Sequence, residues 1–450
     1  MPKKKSTNKT TTIGNFFQNF GSQIMIMFIT LLSGVLLARG LGADGRGKYI
    51  AITMWTNLLY WALSFGIYQT VLYYWKSHDK PKKVIFTTFL VYTLIACILA
   101  IIISELVIVP LITVDYDTEL VVAARIYFVG IIYLAFSDVL MASLAGDEKF
   151  GYSNMLRIAI PGVTTLLMLS LFLFGILDAR SALYASFITS SSLFVLNLIK
   201  ILKLNYIGLK IDWPLMWKAF KYGAKSQGGD VAGMASNNST QMILSVFLPP
   251  ASLGLYSTAQ SAISPLKTIT STIAITTQPK LTAEDIGKVH NRVTEIFRKS
   301  IILIGTSSIG LALVLPFLLP FVYGNEFEAA ILPALVLLPN LLFNSLSNVL
   351  RNALNGAGMT FINTKSELII LVFTIISLYV FLDRWALLGA AIVTLLTSIL
   401  RLAIFYYEYR KRMIQISYKA VIPTWSDAKG IYNVIRLQLN KLRGSVREYH

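Results

Sequence analysis

The sequence has few charged residues and hardly any cysteine or histidine. Asp, Glu, Lys and Arg make up 14% of its 450 residues, whereas they make up about 25% of an average soluble protein. So few charges cannot cover a water-facing surface, which excludes a soluble enzyme of this length. The only cysteine, Cys97, excludes a disulfide framework, and with three histidines it leaves too few ligands for a Cys/His zinc site.

The chain consists largely of long apolar runs. Hydrophobic residues make up 55% of the chain, and a helix that crosses a bilayer needs about 20 mostly apolar residues. Because every backbone polar group in hydrocarbon must be paired, these runs are predicted to be helices. The twelve predicted spans are 14–39, 48–74, 84–111, 120–145, 152–177, 181–203, 219–248, 252–278, 298–320, 329–353, 362–382 and 385–409. The predicted fold is an all-α polytopic membrane protein.

The net charge of +18 is distributed between the apolar runs and not over one soluble face. This pattern argues against a nucleic-acid partner and predicts attraction to anionic membrane lipids. Basic residues concentrate in alternate connecting segments. The intervening segments hold only Arg39, Arg46, Lys48, Arg180 and Arg384. By the positive-inside rule both termini are predicted to be cytoplasmic, which an even number of spans satisfies.

Two pairs of segments indicate an internal repeat. Residues 36–49, LLARGLGADGRGKY, align with 243–256, ILSVFLPPASLGLY, so that Gly47 matches Gly254 and Tyr49 matches Tyr256. Residues 144–150, LAGDEKF, resemble 354–361, LNGAGMTF, at nearly the same spacing. A chance match of common apolar letters is the alternative. A repeat of six spans keeps the orientation of the first half, so the repeats would be parallel, as in transporters that bind substrate between two halves.

The repeat predicts two six-helix lobes. The N-lobe would hold spans 1–6 in residues 1–203, and the C-lobe spans 7–12 in residues 219–409, joined by a cytoplasmic linker at 204–218. A basic tail, 410–450, carries apolar residues at helical spacing. This pattern predicts an interfacial helix on an anionic leaflet, with a protein partner as the alternative.

Four spans carry polar stripes. The side chains are Asn15 and Asn19 in span 1, Asn237 and Gln241 in span 7, Ser257, Gln260 and Ser261 in span 8, and Asn340 and Asn344 in span 10. A polar stripe within a membrane marks either a wet cavity or helix packing. Because spans 1 and 7 occupy equivalent positions in the two halves, the pattern favours a central cleft.

Ionised side chains inside spans are few. Asp230 and Lys267 lie deep, whereas Asp138, Arg157, Arg351 and Glu367 lie close enough to a span end to reach the interface. Arg125 lies just over one turn into span 4, where pairing with Glu119 and a role in substrate binding are both open. The small surplus of cations favours a substrate with an anionic group.

The segment GLGADG at 40–45 fits G-x-G-x-x-G. A nucleotide site of that type requires a preceding strand and a following helix. Here the segment falls between two spans, so it is predicted to be a tight turn in a short outer loop.

Three segments carry a family resemblance. LLSGVLLARGLGADGRGKYIA at 31–51, LPPASLGLYSTAQSAISPLKTI from Leu248, and VYGNEFEAAILPALVLLP at 322–339 resemble the polysaccharide exporters, the Wzx-type oligosaccharide flippases. Their superfamily also includes multidrug exporters and lipid II flippases. The resemblance implies about twelve helices in two six-helix lobes, alternating access, and export of undecaprenyl-pyrophosphate-linked glycans across the bacterial cytoplasmic membrane. Arg39 falls at the family's A-R-x-L-G position.

The resemblance leads to a hypothesis for the site. Phosphates would be contacted by Arg39, Arg125, Lys267 and Arg351, and sugar hydroxyls by Asn15, Asn19, Asn237, Gln241 and Asn344. Family members often carry an acid in helix seven where this chain has Gln241, so Asp230 is the candidate for coupling to a proton or sodium gradient. No cofactor, metal or catalytic residue is expected.

The expected partners are a lipid-linked oligosaccharide and anionic membrane lipids, with a polysaccharide polymerase and glycosyltransferases as further candidates. Three other functions compete with this hypothesis. They are a multidrug exporter of the same superfamily, an integral-membrane glycosyltransferase or polymerase, and a scaffold in an assembly machine. The excess of bases over acids argues against an exporter of cationic drugs, and the short outer loops argue against an enzyme.

Overall fold

A computed structural model gives the architecture. It describes residues 9–413 except 65, 78–79 and 282–285, together with 422–427 and 429; side chains are described at these positions except 9–24, 77, 150, 153, 225–230, 268–281, 286–288 and 360. The helices are α1 (Lys9–Ser64), α2 (Ile67–Ser77), α3 (Lys82–Ile103), α4 (Val109–Ile112), α5 (Thr118–Val129), α6 (Ile131–Gly146), α7 (Phe150–Leu173), α8 (Ala179–Leu204), α9 (Trp213–Phe247), α10 (Pro250–Leu281), α11 (Ile286–Tyr323), α12 (Ile331–Gly356) and α13 (Thr360–Arg412). A π-helical turn, Ser104–Ile108, joins α3 to α4, and a 3-10 helix, Asn325–Ala330, joins α11 to α12.

Two of these helices are too long for one crossing. α1 has 56 residues and α13 has 53. At 1.5 Å per residue each would be about 80 Å long, more than twice the roughly 30 Å hydrocarbon core. Each contains a backbone break, at Gly42 (φ 66°) in α1 and at Ala386 (φ 41°) in α13. Each is therefore two crossings joined at the break.

The predicted spans coincide with these helices. Spans 1 and 2 lie on α1 and α2, span 3 on α3 and α4, span 4 on α5 and α6, spans 5–10 on α7–α12 in order, and spans 11 and 12 on α13. Eight stretches of the described residues are long and apolar enough to cross a bilayer, and two of them contain Gly42 and Ala386. Each of those two is 52 residues long, enough for two crossings. The chain is a multi-pass helical membrane protein.

The chain divides into two compact units. The first comprises 1–261 and 320–327, and the second 262–319 and 328–450. Trp75, Phe86 and Phe89 lie in the buried core of the first unit. Phe297 and Phe405 lie in that of the second. The lobe boundaries inferred from the sequence stay a prediction.

The second repeat pair has the same backbone in both copies. At the end of α6 the amide of Lys149 donates to the carbonyl of Leu144 at 2.8 Å, and after α12 the amide of Met359 donates to that of Leu354 at 3.0 Å. The residue before each donor has a left-handed backbone: Glu148 (φ 60°) and Gly358 (φ 79°). Both ends are Schellman motifs, which supports the predicted repeat.

This equivalence predicts opposite effects of two substitutions. A non-glycine residue with a left-handed backbone costs about 1–2 kcal/mol, and among the described residues no atom beyond the chain neighbours lies within 4 Å of a Cβ placed on Gly358. Gly358→Ala should therefore destabilise the protein by about 1 kcal/mol. Glu148→Gly should stabilise it by less than that, because glycine loses about 0.5–1 kcal/mol more chain entropy on folding.

Thermal unfolding of the purified protein in detergent measures both changes. Gly151→Ala is the matched control, since no atom lies within 4 Å of a Cβ at that position and its backbone is not left-handed. Equal melting temperatures for Gly358→Ala and the wild type would contradict the prediction.

Candidate functional site

The first unit holds a buried arginine on the second half of α1. Arg46 is 1% exposed. Its Nη1 donates to the carbonyl of Gly34 at 2.7 Å, its Nη2 to Ser261 Oγ at 2.8 Å, and its Nε to Ser257 Oγ at 3.2 Å. The guanidinium lies 5.7 Å from the ring centre of Tyr323. Arg46 thus connects both halves of α1 with α10 and the end of α11.

The charge of Arg46 is met by uncharged groups. All three described hydrogen bonds go to a carbonyl or hydroxyl oxygen, and an aromatic face adds a cation–π contact. Burying a cation is costly unless its donors are satisfied. The cost of burying Arg46 therefore suggests that the residue has a specific role, either in function or in holding these helices together.

The predicted tight turn is present at Gly42, but the predicted loop around it extends too far. Residues 43–48 are helical, and within 40–48 the break in α1 falls at Gly42. Arg46, placed in an outer loop from sequence, lies one turn inside the resumed helix. The available signal was the stripe on span 8, because Ser257 and Ser261 are four residues apart and face the same partner.

Two glycines beside Arg46 bring helix backbones into direct contact. A Cβ on Gly47 would lie 1.7 Å from the carbonyl oxygen of Pro250, and a Cβ on Gly254 would lie 1.9 Å from that of Ala43. Gly47 matches Gly254 in the repeat, and Ala43 matches Pro250 at the same spacing. Gly47 thus approaches Pro250 as Gly254 approaches Ala43, with equivalent residues exchanged between the two helices. This is the reciprocal pattern of a two-fold contact.

Arg39, on α1 just before the break, contacts the C-terminal end of α11. Its Nε donates to the carbonyl of Val322 at 2.8 Å, and its Nη2 to that of Phe321. Nearby, the amide of Ala43, just after the break in α1, donates to Glu326 Oε1 at 2.8 Å. A cation at a helix C-terminus and an anion at an N-terminus both complement helix dipoles. In this arrangement Arg39 has contacts that a structural role explains, and its predicted phosphate contact stays a prediction.

The stripes of spans 7 and 8 meet at one hydrogen bond. Gln241 Nε2 of α9 donates to Gln260 Oε1 of α10 at 3.0 Å. Asn237, one turn before Gln241, is exposed. Asn15, Asn19 and Asp230 also belong to the predicted site, but their side chains lie outside the described residues.

Arg125 pairs with an acid other than the one considered. Its Nε lies 3.3 Å from Glu105 Oε2, in the π-helical turn after α3. Glu119 pairs instead with Arg180. The alternative of an Arg125–Glu119 pair is therefore wrong, because Glu119 faces α8. Arg125 and Glu105 are both accessible, with side chains 56% and 37% exposed.

The second unit contains a buried ion pair that is hydrogen-bonded to an asparagine side chain. Arg401 Nη2 lies 3.1 Å from Glu367 Oε2, and these side chains are 7% and 2% exposed. Arg401 Nη1 donates to Asn344 Oδ1 at 2.8 Å, and Asn344 Nδ2 donates to Asn340 Oδ1 at 2.6 Å. The expectation that Glu367 reaches the interface is wrong, since Arg401 neutralises it in the core. In the first unit Asp138 likewise accepts a hydrogen bond from the hydroxyl of Tyr60.

The other two predicted cations also lie in the second unit. Lys267 is exposed on α10. Arg351 on α12 is partly buried, and its Nε is a buried donor without a hydrogen-bond partner among the described residues. The predicted site residues thus fall into separate local environments within each unit, and the predicted cleft between the lobes stays a prediction.

The chain is similar to known membrane transport proteins. Residues 36–332 match a family model described as "Polysaccharide biosynthesis protein". No curated protein matches the sequence.

Solved structures with a similar fold come from the MOP superfamily. One is a multidrug resistance transporter of the MATE family in an inward-facing conformation, with 14% identity, 88% of this chain and 97% of that chain covered, and a TM-score of 0.69. Another is the lipid II flippase MurJ in an inward closed conformation, with 16% identity, 88% and 87% covered, and a TM-score of 0.67. A third is the MATE multidrug transporter DinF-BH, with 15% identity, 92% and 99% covered, and a TM-score of 0.63. These likenesses confirm the predicted fold of about twelve helices in two lobes.

Proposed function

Because this chain belongs to the polysaccharide biosynthesis protein family, we propose that it is a flippase for undecaprenyl-pyrophosphate-linked oligosaccharide. It would carry this lipid from the inner to the outer leaflet of a bacterial cytoplasmic membrane by alternating access, with both termini cytoplasmic. Family membership is the observation that carries the proposal. The multi-pass helical fold agrees with it, as does the similarity in fold to a lipid II flippase.

The chemistry of the cargo explains what the protein must provide. A glycan and its phosphates cannot cross hydrocarbon unaided, so polar and cationic side chains replace their hydration. Outward movement of a negative headgroup gains about 2.3 kcal/mol per charge for each 100 mV of inside-negative potential. In this proposal Arg39, Arg125, Lys267 and Arg351 contact phosphate. The amide side chains of Asn15, Asn19, Asn237, Gln241 and Asn344 bind sugar hydroxyls.

The protein moves its cargo without changing a covalent bond in it. A proton or sodium gradient would drive the cycle, with Asp230 as the coupling group. Glycosyltransferases would supply the cargo, and a polymerase would consume it. Loss of gradient-dependent transport in Asp230→Asn, with passive flipping intact, is the result expected of a coupling residue.

A flipping assay in vesicles tests the cationic residues. Arg125→Ala and Lys267→Ala should each slow the flipping of a fluorescent lipid-linked oligosaccharide about tenfold, because a hydrogen bond to a charged group contributes about 1.5–3 kcal/mol. Arg180→Ala is the control, since Arg180 is a similarly exposed arginine that pairs with Glu119. Wild-type rates in both test variants, at normal abundance, would remove these residues from the mechanism.

The same superfamily supplies the competing function. Two of the solved structures with a similar fold are multidrug transporters, so export of cationic drugs is the second candidate. The vesicles distinguish the two when they are loaded with a cationic dye. Gradient-driven dye movement without flipping of lipid-linked oligosaccharide would favour the drug exporter.

A further inference from the structure

An apolar groove lies on the surface of the first unit, between α3 and α9. It encloses about 210 Å³, and its lining includes Ile95 and Leu99 of α3 and Met216, Trp217 and Phe220 of α9. Ile95, Leu99 and Trp217 are 49%, 48% and 58% exposed. Ile95 and Leu99 lie in a stretch that is long and apolar enough to cross a bilayer. Exposed apolar side chains of such a stretch face lipid, so this wall of the groove faces the bilayer.

One end of the groove carries positive charge. The Nζ of Lys221 lies 5.2 Å from the ring centre of Trp217. That ring stacks on Phe220, with centres 5.4 Å apart and planes 13° apart. Lys218, next to Trp217 in the chain, is exposed. Trp217 therefore lines the apolar groove, and its ring also holds the ammonium group of Lys221 at one end of the groove.

The neighbouring acids do not neutralise this charge. Asp212, which caps α9, pairs with Lys80. Asp147, at the end of α6, pairs with Lys82 at 2.6 Å. Asp212 and Asp147 thus have other lysines as partners, and Glu148, next to Asp147 in the chain, is the further described acid beside them; it is outnumbered by the lysines around it. The end of the groove keeps a net positive charge and is complementary to an anionic group.

We propose that the groove binds one acyl chain of an anionic phospholipid, whose phosphate contacts Lys218 and Lys221. The basic segments before α3 and α9 place this end on the predicted cytoplasmic side, where anionic lipids attract lysines. Along α3, the eight residues from Tyr92 to Leu99 rise about 10 Å, which leaves room for part of one chain.

The groove fits a lipid that stays in its leaflet. A transported lipid must take its headgroup to the other leaflet, whereas a phospholipid keeps its phosphate beside Lys218 and Lys221 throughout a cycle. The site is thus separate from the proposed transport path, and it would exist whichever substrate the protein carries.

Native mass spectrometry of the full-length protein in mild detergent tests the site. The protein is titrated with phosphatidylglycerol, phosphatidylcholine or undecaprenyl phosphate. We expect one phosphatidylglycerol to bind in preference to phosphatidylcholine, and we expect undecaprenyl phosphate, which resembles the proposed cargo, to bind independently of Lys218 and Lys221. A lysine near an anionic surface contributes about 1 kcal/mol, so Lys218→Gln and Lys221→Gln should each weaken phosphatidylglycerol binding about fivefold. Ala96→Trp fills the groove and should lower the binding of every lipid.

Lys200→Gln is the matched control. Lys200 also lies over an aromatic ring, that of Tyr152 at 5.3 Å, on the same basic side of the protein but away from the groove. This control should bind phosphatidylglycerol as the wild type does. Since Lys218 and Lys221 are exposed, their variants keep the test valid even if Ala96→Trp does not fold. Unchanged phosphatidylglycerol binding in Lys221→Gln, an equal loss in Lys200→Gln, or a loss of undecaprenyl phosphate binding in Lys221→Gln as large as that of phosphatidylglycerol would each overturn the proposal.

Discussion

Replacing Gly47 with alanine is expected to destabilise the protein by about 3 kcal/mol or more. The added Cβ would lie 1.7 Å from the carbonyl oxygen and 2.5 Å from the carbonyl carbon of Pro250. Both are backbone atoms, so no side chain can rotate away and the helices must separate. Overpacking in a core costs about 1–3 kcal/mol, occasionally more, and a clash with rigid backbone belongs at the upper end. Gly254→Ala should have a similar effect, because its Cβ would lie 1.9 Å from the carbonyl oxygen of Ala43.

The reciprocal geometry adds a prediction for the double variant. Separating the two helices once would relieve both clashes, so the combined loss in Gly47→Ala/Gly254→Ala should be smaller than the sum of the single losses. Thermal unfolding in detergent measures all three variants. Gly310→Ala is the control, since no atom lies within 4 Å of a Cβ there. Additive losses would show that the two glycines do not share one contact.

Spans and repeat could be predicted from the sequence because both depend on local patterns. Apolar runs and basic connecting segments follow from the properties of the bilayer, independently of tertiary contacts. The match of Gly47 with Gly254 was also visible in the aligned segments. Their contact was not, because an alignment identifies equivalent residues without placing one against the other.

The role of Arg46 was missed because the predicted loop included it, whereas the turn falls at Gly42 and the helix resumes before Arg46. Gly40, Gly42, Gly45 and Gly47 lie within eight residues, which is typical of a loop in soluble proteins. Membrane helices tolerate glycine, however, and use it for close backbone approach. Within this segment Gly42 makes the turn, and Gly47 permits the helix contact beside Arg46.

The pairing of Glu367 with Arg401 had a signal that went unused. The two residues lie on opposite sides of the break at Ala386, which turns α13 back on itself, and their distances from it differ by about one helical turn, a gap that the long arginine side chain can span. Residues at equal distances from such a turn come to the same depth on antiparallel helices. Thr374 and Thr397 follow the same rule and share a hydrogen bond of 3.0 Å. Once the turn was placed, Arg401 could be predicted as the partner of Glu367. The hydrogen bond from Arg401 to Asn344 on α12 could not.

Breaking the Glu367–Arg401 pair is the second change with a large expected effect. Removing one partner of a buried ion pair leaves an uncompensated charge and costs about 3–5 kcal/mol. Arg401→Met should therefore destabilise the protein by about that amount. The double variant Glu367→Gln/Arg401→Met removes both charges and should recover most of the loss, because well-packed neutral residues often replace a buried pair without penalty.

An exposed pair on the same helix provides the control. Arg412 Nε lies 2.9 Å from Glu408 Oε2, with side chains 44% and 17% exposed, and such pairs contribute about 0–1 kcal/mol. Arg412→Met should therefore change the melting temperature little. The vesicle flipping assay then separates stability from transport. If the double variant folds as well as the wild type but does not flip its lipid, the pair takes part in the transport cycle. If it flips normally, the pair serves only the stability of the second unit.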